Sequence, residues 1–448
     1  MAFYALEAAV FALTIAIYKY SDRLGTLSLR QGVLLLASTG IAIACLGHIC
    51  RTYHNAGTAG RRRVVLAFAA NLVAVALMLG AAESVVRIVS VPTDMGPSFA
   101  GTLLLPKRWE LQVRRNAKLL HDAPTNISYF VRDTLLGWTV GPGRRSKNGL
   151  YLSSTEGIRS SVLGMSYRGG ATRALAAVGD SFTFGLEGEF KDTWEYLLGT
   201  SLGTDTTILN FGVDGYGIDQ AYLRYVRDVR PWHPRLALFG FIDHDLGRGM
   251  SVYSFITYPN WGIPFSKPRF TLKNEVLEPL NVPVIDPEDI LSRETITELP
   301  FITYDAGYNP EEWTERVVHA SYLARYVLSR FPRWPARSAE DWSKEEIALN
   351  SALLRSFGAI AERDGTVPIV IYFPTKGDFE GLDRSAKDAV LAAVSVSGIR
   401  TIDLTSCVSA IDWRRAFIPG HQHYSKAGNE AVARCLLPVV RQELERSK

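Results

Sequence analysis

Ala174-Leu175-Ala176-Ala177-Val178-Gly179-Asp180-Ser181-Phe182-Thr183-Phe184-Gly185 decides the fold. Its apolar run shows no polar alternation, which suits a strand covered on both faces. The Gly-Asp-Ser that follows reads as a tight turn leaving a serine at the carboxyl end of that strand. In an open α/β sheet those ends form the crevice where ligands bind, and a Gly-flanked turn lets backbone N–H groups approach a reacting oxygen. Gly-Asp-Ser alone is a common turn, so the segments downstream carry the specificity.

Each of those segments is again a strand end. Ile208-Leu209-Asn210-Phe211-Gly212-Val213-Asp214-Gly215-Tyr216-Gly217 runs into a Gly-rich turn and then a helix over 218–230. Leu236 to Ile242 is apolar and ends in Asp243-His244-Asp245. Further strands are expected at Val367 to Phe373 and Arg400 to Leu404, with helices near 193–202, 342–363 and 384–394. His421-Gln422-His423-Tyr424-Ser425-Lys426-Ala427-Gly428 opens a closing helix over 425–445. Strands alternating with helices predict a parallel sheet with helices on both faces.

These blocks, in this order, resemble the SGNH (GDSL-like) hydrolase family, and the likeness spans roughly Asp133 to Lys448. Gly137-Trp138 through Gly157-Ile158-Arg159 is similar to the lead-in of membrane-tethered members. The resemblance implies a flavodoxin-like, three-layer α/β/α domain over 173–448. By the same resemblance Ser181 is the nucleophile, His423 the general base, and the Ser181 and Gly212 N–H groups are donors to the oxyanion. Where the family has an Asn before an Asp, this chain has His244 before Asp245, so an imidazole replaces an amide donor. Where the family has a carboxylate two or three residues before the histidine, this chain has Gly420 and His421. No triad acid is expected there, which leaves a backbone carbonyl to hold the imidazole tautomer. His421 and His423 also admit a metal reading with Asp243, His244 or Asp245, but the spacing matches no zinc signature. No cofactor and no metal are expected.

The 448 residues are 47% apolar and 21% charged, with a formal net charge of +4. That charge does not point to nucleic acid, and no repeat, zinc-finger spacing or nucleic-acid module is present. The apolar excess lies in residues 1–90. Gly32–Cys50 and Val64–Ala82 are each nineteen residues without a formal charge, about 28 Å as helix. Phe3–Tyr18 is a shorter run interrupted by Glu7. About three transmembrane helices are expected, with 91–172 as linker and lead-in. The loop with Arg51, Arg61, Arg62 and Arg63 outweighs the one with Lys19, Arg23 and Arg30, which puts the latter half of the chain in the periplasm or outside the cell.

An insertion over about 248–340 is far longer than an ordinary strand-to-helix link. It is expected to be ordered, to include a helix over 310–330 and to fold over Ser181. Cys407 and Cys435 either pair, as an exported domain allows, or remain buried thiols. Together these features predict a membrane-embedded serine esterase or O-acyltransferase. It is expected to act on O-acyl, and above all O-acetyl, esters of an extracytoplasmic glycan or lipid, in company with envelope polysaccharide machinery. The alternative is a catalytically degenerate domain that binds glycan or helps assemble the cell envelope.

Overall fold

The computed structural model describes residues 29–121, 129–168, 173–203, 206–331, 339–381 and 385–446. The chain forms two compact units, one of Met1–Gln112 with Asn309–Ser338, the other of Val113–Tyr308 with Ala339–Lys448. The long insertion is thus divided between them.

In the first unit, α1 (Leu29–Asn55) contains the run Gly32–Cys50, and α2 (Thr58–Val89) contains Val64–Ala82. Among the described residues α2 is the helix long and apolar enough to cross a membrane, and only 6% of its most apolar window is buried. Phe3–Tyr18 lies outside the described residues. Beyond α2, three short antiparallel strands follow (Val91–Thr93, Gly96–Phe99 and Thr102–Leu103). The helix expected over 310–330 is shorter: 3-10 turns at Pro310–Glu312 and Val317–Ala320 precede a helix at Tyr322–Arg330. Ser321 makes the break, because its side chain accepts the N–H of Ala324 and caps a new start.

The second unit is built on five parallel strands: β1 (Arg173–Val178), β2 (Thr206–Asn210), β3 (Leu236–Phe241), β4 (Val367–Tyr372) and β5 (Arg400–Asp403). Their order across the sheet is β5-β4-β3-β1-β2, so the chain reverses direction between β1 and β3. That is the flavodoxin-like order, and its switch point lies beside the end of β1. Two short antiparallel strands, Arg159–Ser160 and Leu152–Ser153, extend the β2 edge, so the lead-in segment joins the sheet.

Period-two alternation divides the strand residues between two apolar layers. Leu175, Ala177, Leu236, Leu238, Ile369 and Ile371 face one layer, which holds α3 (Trp194–Leu202). Ala176, Val178, Ala237, Phe239, Val370 and Tyr372 face the other, where α4 (Ile218–Arg224), α5 (Ala339–Arg363) and α6 (Ser385–Val396) pack. The first layer is completed by α7 (Lys426–Arg446). The helix expected over 218–230 keeps α geometry only to Arg224. It widens into a π turn at Tyr225–Val229 and tightens at Arg230–Trp232, where Pro231 cannot donate an N–H.

Cys407 and Cys435 are joined by a disulfide that closes a loop of 28 residues. Loop-closure entropy for that length is worth about 3–4 kcal/mol. Replacing both cysteines by serine should therefore lower the melting temperature of the purified protein, and an unchanged melt would show that the bond carries no stability.

Candidate active site

β1 ends in a turn whose geometry is imposed by its neighbours. A Cβ on Gly179 would lie 2.3 Å from Thr183 Oγ1 and 2.5 Å from Gly240 O, so only glycine fits between the first turn and β3. The Asp180 carboxylate accepts the N–H of Phe182 at 2.9 Å and caps the single helical turn Ser181–Phe184. Gly185 then takes a left-handed φ of 72° and reverses the chain. Ser181 is therefore held at the mouth of the sheet by backbone geometry.

His423 arrives from the opposite end of the sequence. The loop before α7 is fixed by the Ile418 N–H donating to His423 O at 3.0 Å and by a bridge between Phe417 and Tyr424. Phe182 packs against the imidazole with ring centroids 5.2 Å apart. His423 Nε2 lies 2.9 Å from Ser181 Oγ, within hydrogen-bonding reach.

A carboxylate does reach that imidazole, contrary to the expectation of a backbone carbonyl. Glu187 Oε2 is 3.0 Å from His423 Nδ1, and Glu187 Oε1 is 2.6 Å from His421 Nδ1. This carboxylate comes from the loop just after Ser181 instead of the loop before the histidine. With Nδ1–H donated to Glu187, His423 presents a lone pair on Nε2 to the Ser181 hydroxyl. The bond to His423, together with that to His421, holds the Glu187 carboxyl below its ordinary range.

The loop that carries Glu187 is pinned from below. Its residues include a left-handed φ of 66° at Glu187, whose N–H donates to the Tyr151 hydroxyl at 2.8 Å. The buried guanidinium of Arg159 donates to the carbonyls of Phe184, Gly185 and Gly188, the latter two at 2.6 Å.

No family model and no curated protein matches the chain. Solved structures do. They include a member of the lipolytic protein G-D-S-L family from Veillonella parvula (12% identity, TM-score 0.30, covering 59% of this chain and 97% of that one). A lipase/acylhydrolase from Enterococcus faecalis is 11% identical, with a TM-score of 0.33 and coverage of 60% and 96%. A catalytic mutant of Axe2, an acetylxylan esterase from Geobacillus stearothermophilus, is 14% identical, with a TM-score of 0.32 and coverage of 60% and 94%. In this chain a five-stranded sheet of flavodoxin-like order carries Gly-Asp-Ser after its first strand and a histidine just before its last helix. The fold is a doubly wound, flavodoxin-like α/β sheet with that serine and that histidine at the carboxyl ends of its strands.

The second unit has a cavity of about 420 Å³ lined by Ser181, His423, Asp214, His244, Arg248 and Trp261, among others. Trp261 stacks on Tyr258 with centroids 4.1 Å apart and planes 7° from parallel, and both side chains line the cavity. The first part of the insertion thus contributes an aromatic wall beside Ser181.

Two of the residues picked from the sequence sit otherwise than expected. The Gly212 N–H donates to Asn210 Oδ1 at 2.9 Å, and a Cβ there would lie 2.3 Å from the Phe184 N. Gly212 is a packing glycine, and its N–H is already engaged by the Asn210 side chain that holds the Thr183 carbonyl at 2.8 Å. Three residues on, Gly215 has a φ of 77° and follows Asp214 on the cavity wall. Neither the Gly215 nor the Ser181 N–H donates to an acceptor among the described residues. His244 lines the cavity lip with its side chain 60% exposed, too solvated to act as a rigid donor. Its neighbour Asp245 turns inward, accepting from Arg248 at 2.6 Å and from the Ile242 N–H at 3.0 Å.

Behind Ser181 lies a compact charge cluster. Arg248 Nη1 sits 2.6 Å from Asp245 and 3.5 Å from Asp180, and the guanidinium lies 4.6 Å from the Trp261 ring. Burial pushes the Asp245 carboxyl well up and Asp180 up, with Arg248 opposing both shifts. Asp214 is also pushed up by burial, opposed by His423 and Arg248. Among the described residues no group of three or more His, Cys, Asp or Glu side chains is arranged to hold a metal ion. The two imidazoles of the metal reading converge on one carboxylate instead.

Proposed function

We propose that the chain is a serine ester hydrolase or acyl transferase working through Ser181, His423 and Glu187. The observation that carries this reading is the unbroken row Ser181 Oγ, His423 Nε2, His423 Nδ1 and Glu187 Oε2, with contacts of 2.9 and 3.0 Å, opening on the cavity. Ser181 attacks the ester carbonyl while His423 takes its proton. Glu187 keeps the productive tautomer and stabilises the imidazolium. The Ser181 and Gly215 N–H groups are the donors for the developing oxyanion, in place of Gly212 and His244. His423 then returns the proton to the leaving alcohol, and water or an acceptor hydroxyl releases the acyl group.

The substrate class is an O-acyl ester, above all an O-acetyl ester, of an envelope glycan or lipid. A pocket of this size with a flat aromatic wall suits a small acyl group on a sugar ring. Helix α2 anchors the chain in a membrane, and the SGNH-type unit lies on the oxidising side. The Cys407–Cys435 bond supports that side, because such bonds persist in exported domains. The decisive experiment is covalent labelling of the detergent-solubilised protein by a fluorophosphonate. Ser181 should be the labelled residue, Ser181→Ala should abolish labelling and acetyl-ester hydrolysis, and His423→Ala should suppress both. Unlabelled Ser181 in folded protein would refute a catalytic role.

A further inference from the structure

In the first unit a pair of apolar side chains is exposed at a place that polar solvent does not explain. Val317 is 95% exposed and Val318 46%, adjacent in the 3-10 turn Val317–Ala320. Where that turn sits follows from a chain of contacts. Glu83 directly succeeds Ala82, the last residue of the charge-free run of α2. Its carboxylate accepts the Ser321 hydroxyl at 2.8 Å and the N–H groups of Tyr322 and Leu323 at 3.0 and 2.8 Å. It therefore caps the start of the helix Tyr322–Arg330. Arg87, one turn on, donates to the Ala320 carbonyl at 3.0 Å and lies 4.5 Å from the Tyr322 ring.

The direction of the capped helix is fixed at its other end. Ser329 Oγ accepts the N–H of Leu105, Arg325 donates to the Leu105 carbonyl at 2.6 Å, and Tyr326 meets Phe99. Those partners belong to the chain that follows the end of α2. The helix Tyr322–Arg330 thus starts at the level of Glu83 and runs away from the apolar part of α2, so the turn before it lies at the end nearer Ala82. Four residues of 3-10 turn span about 8 Å. Val317 and Val318 are consequently within one headgroup depth of the hydrocarbon boundary that the charge-free run defines.

We infer that the Val317–Val318 turn is an interfacial foot that inserts into the lipid bilayer beside α2. The occupant of this apolar patch is lipid, argued from its continuity with the membrane helix, and Tyr322 under Arg87 is the amphipathic aromatic expected at that depth. Glu83, half-buried and hydrogen-bonded to Ser321, Tyr322 and Leu323 just after the foot, ties it to the exit of α2. The inference rests on α2 crossing a membrane and is independent of the catalytic reading.

The test uses the full chain in liposomes of phosphatidylcholine and phosphatidylglycerol, with Cys45→Ser and Cys50→Ser and the disulfide retained. Spin labels are placed singly by Val317→Cys, Val73→Cys in the middle of α2 and Val396→Cys, an 89% exposed site on α6. The ratio of oxygen to water-soluble nickel accessibility should be several-fold higher at 317 than at 396, and higher again at 73. A label at 317 that matches 396 while 73 reports lipid overturns the foot. A label at 317 shielded from both relaxants indicates a protein partner and equally overturns it. If 73 itself reads as water-exposed, the membrane reading of α2 fails and the foot with it.

Discussion

Glu187→Gln should lower kcat/KM for an acetyl ester by about 10²–10⁴-fold while leaving the fold intact. The reason lies in the count of donors and acceptors. The carboxylate accepts from two imidazoles, His423 Nδ1 at 3.0 Å and His421 Nδ1 at 2.6 Å. A glutamine amide has one oxygen to accept and one NH2 that can only donate. One imidazole must then carry its proton on Nε2, and if His423 does so it can no longer accept the Ser181 proton. His421→Ala in the Glu187→Gln background should recover part of the loss, because the single amide oxygen is then free to serve His423. A Glu187→Gln enzyme with wild-type turnover and pH profile would show that the carboxylate is a bystander. In the wild type, the depressed carboxyl of Glu187 stabilises the fold above its unfolded pKa of about 4.3, and that contribution disappears as pH falls through the lower folded value.

The parts of this site that were legible in the sequence are those set by local pattern. The apolar run before Gly179 and the glycines around Asp180–Gly185 specify strand and turn without reference to the remainder of the chain. They put Ser181 at the sheet's mouth, and the order of blocks brings His423 beside it. Glu187 was not legible, because nothing in Gly185-Leu186-Glu187-Gly188 records that the chain 234 residues later returns to it. A carboxylate between two glycines in the loop after Ser181 was the available signal. Gly212 misled for the opposite reason: its presence is dictated by contact with the Phe184 backbone, and sequence pattern does not separate a packing glycine from a donor. The insertion illustrates a third limit. Its first part lines the cavity with Tyr258 and Trp261, whereas Ser321, Tyr322 and Leu323 pack in the unit of α2 through Glu83, a pairing across more than two hundred residues that no local periodicity encodes.

Arg159→Met is the second large effect, and it reads out how the loop of Glu187 is held. Arg159 is 1% exposed and pairs across the sheet edge with Asn210, so its charge is taken out of water. Burial pulls its pKa down, an expense the fold bears because the guanidinium fills three carbonyls of the loop, those of Phe184, Gly185 and Gly188. Its ring neighbours Tyr151 and Phe184, at 5.0 and 4.5 Å, add face contacts, and Tyr151 in turn receives the Glu187 N–H. The buried Glu195 carboxyl is the acid nearest in effect to this charge, and desolvation raises its own pKa well above the ordinary range. Methionine keeps most of the volume but leaves the carbonyls of Phe184, Gly185 and Gly188 without their side-chain donor. Leaving buried acceptors unsatisfied costs about 1–3 kcal/mol each, so the loss should reach several kcal/mol. The melting temperature should fall by roughly ten degrees at the scale expected for a unit of this size. Below the melt, turnover should also fall, since a left-handed Glu187 is retained only while the loop is over-determined. Arg159→Lys should rescue little, because an ammonium is a point donor and cannot match a planar fork. A variant that melts with the wild type would show that the loop, and with it Glu187, is held by its own backbone alone.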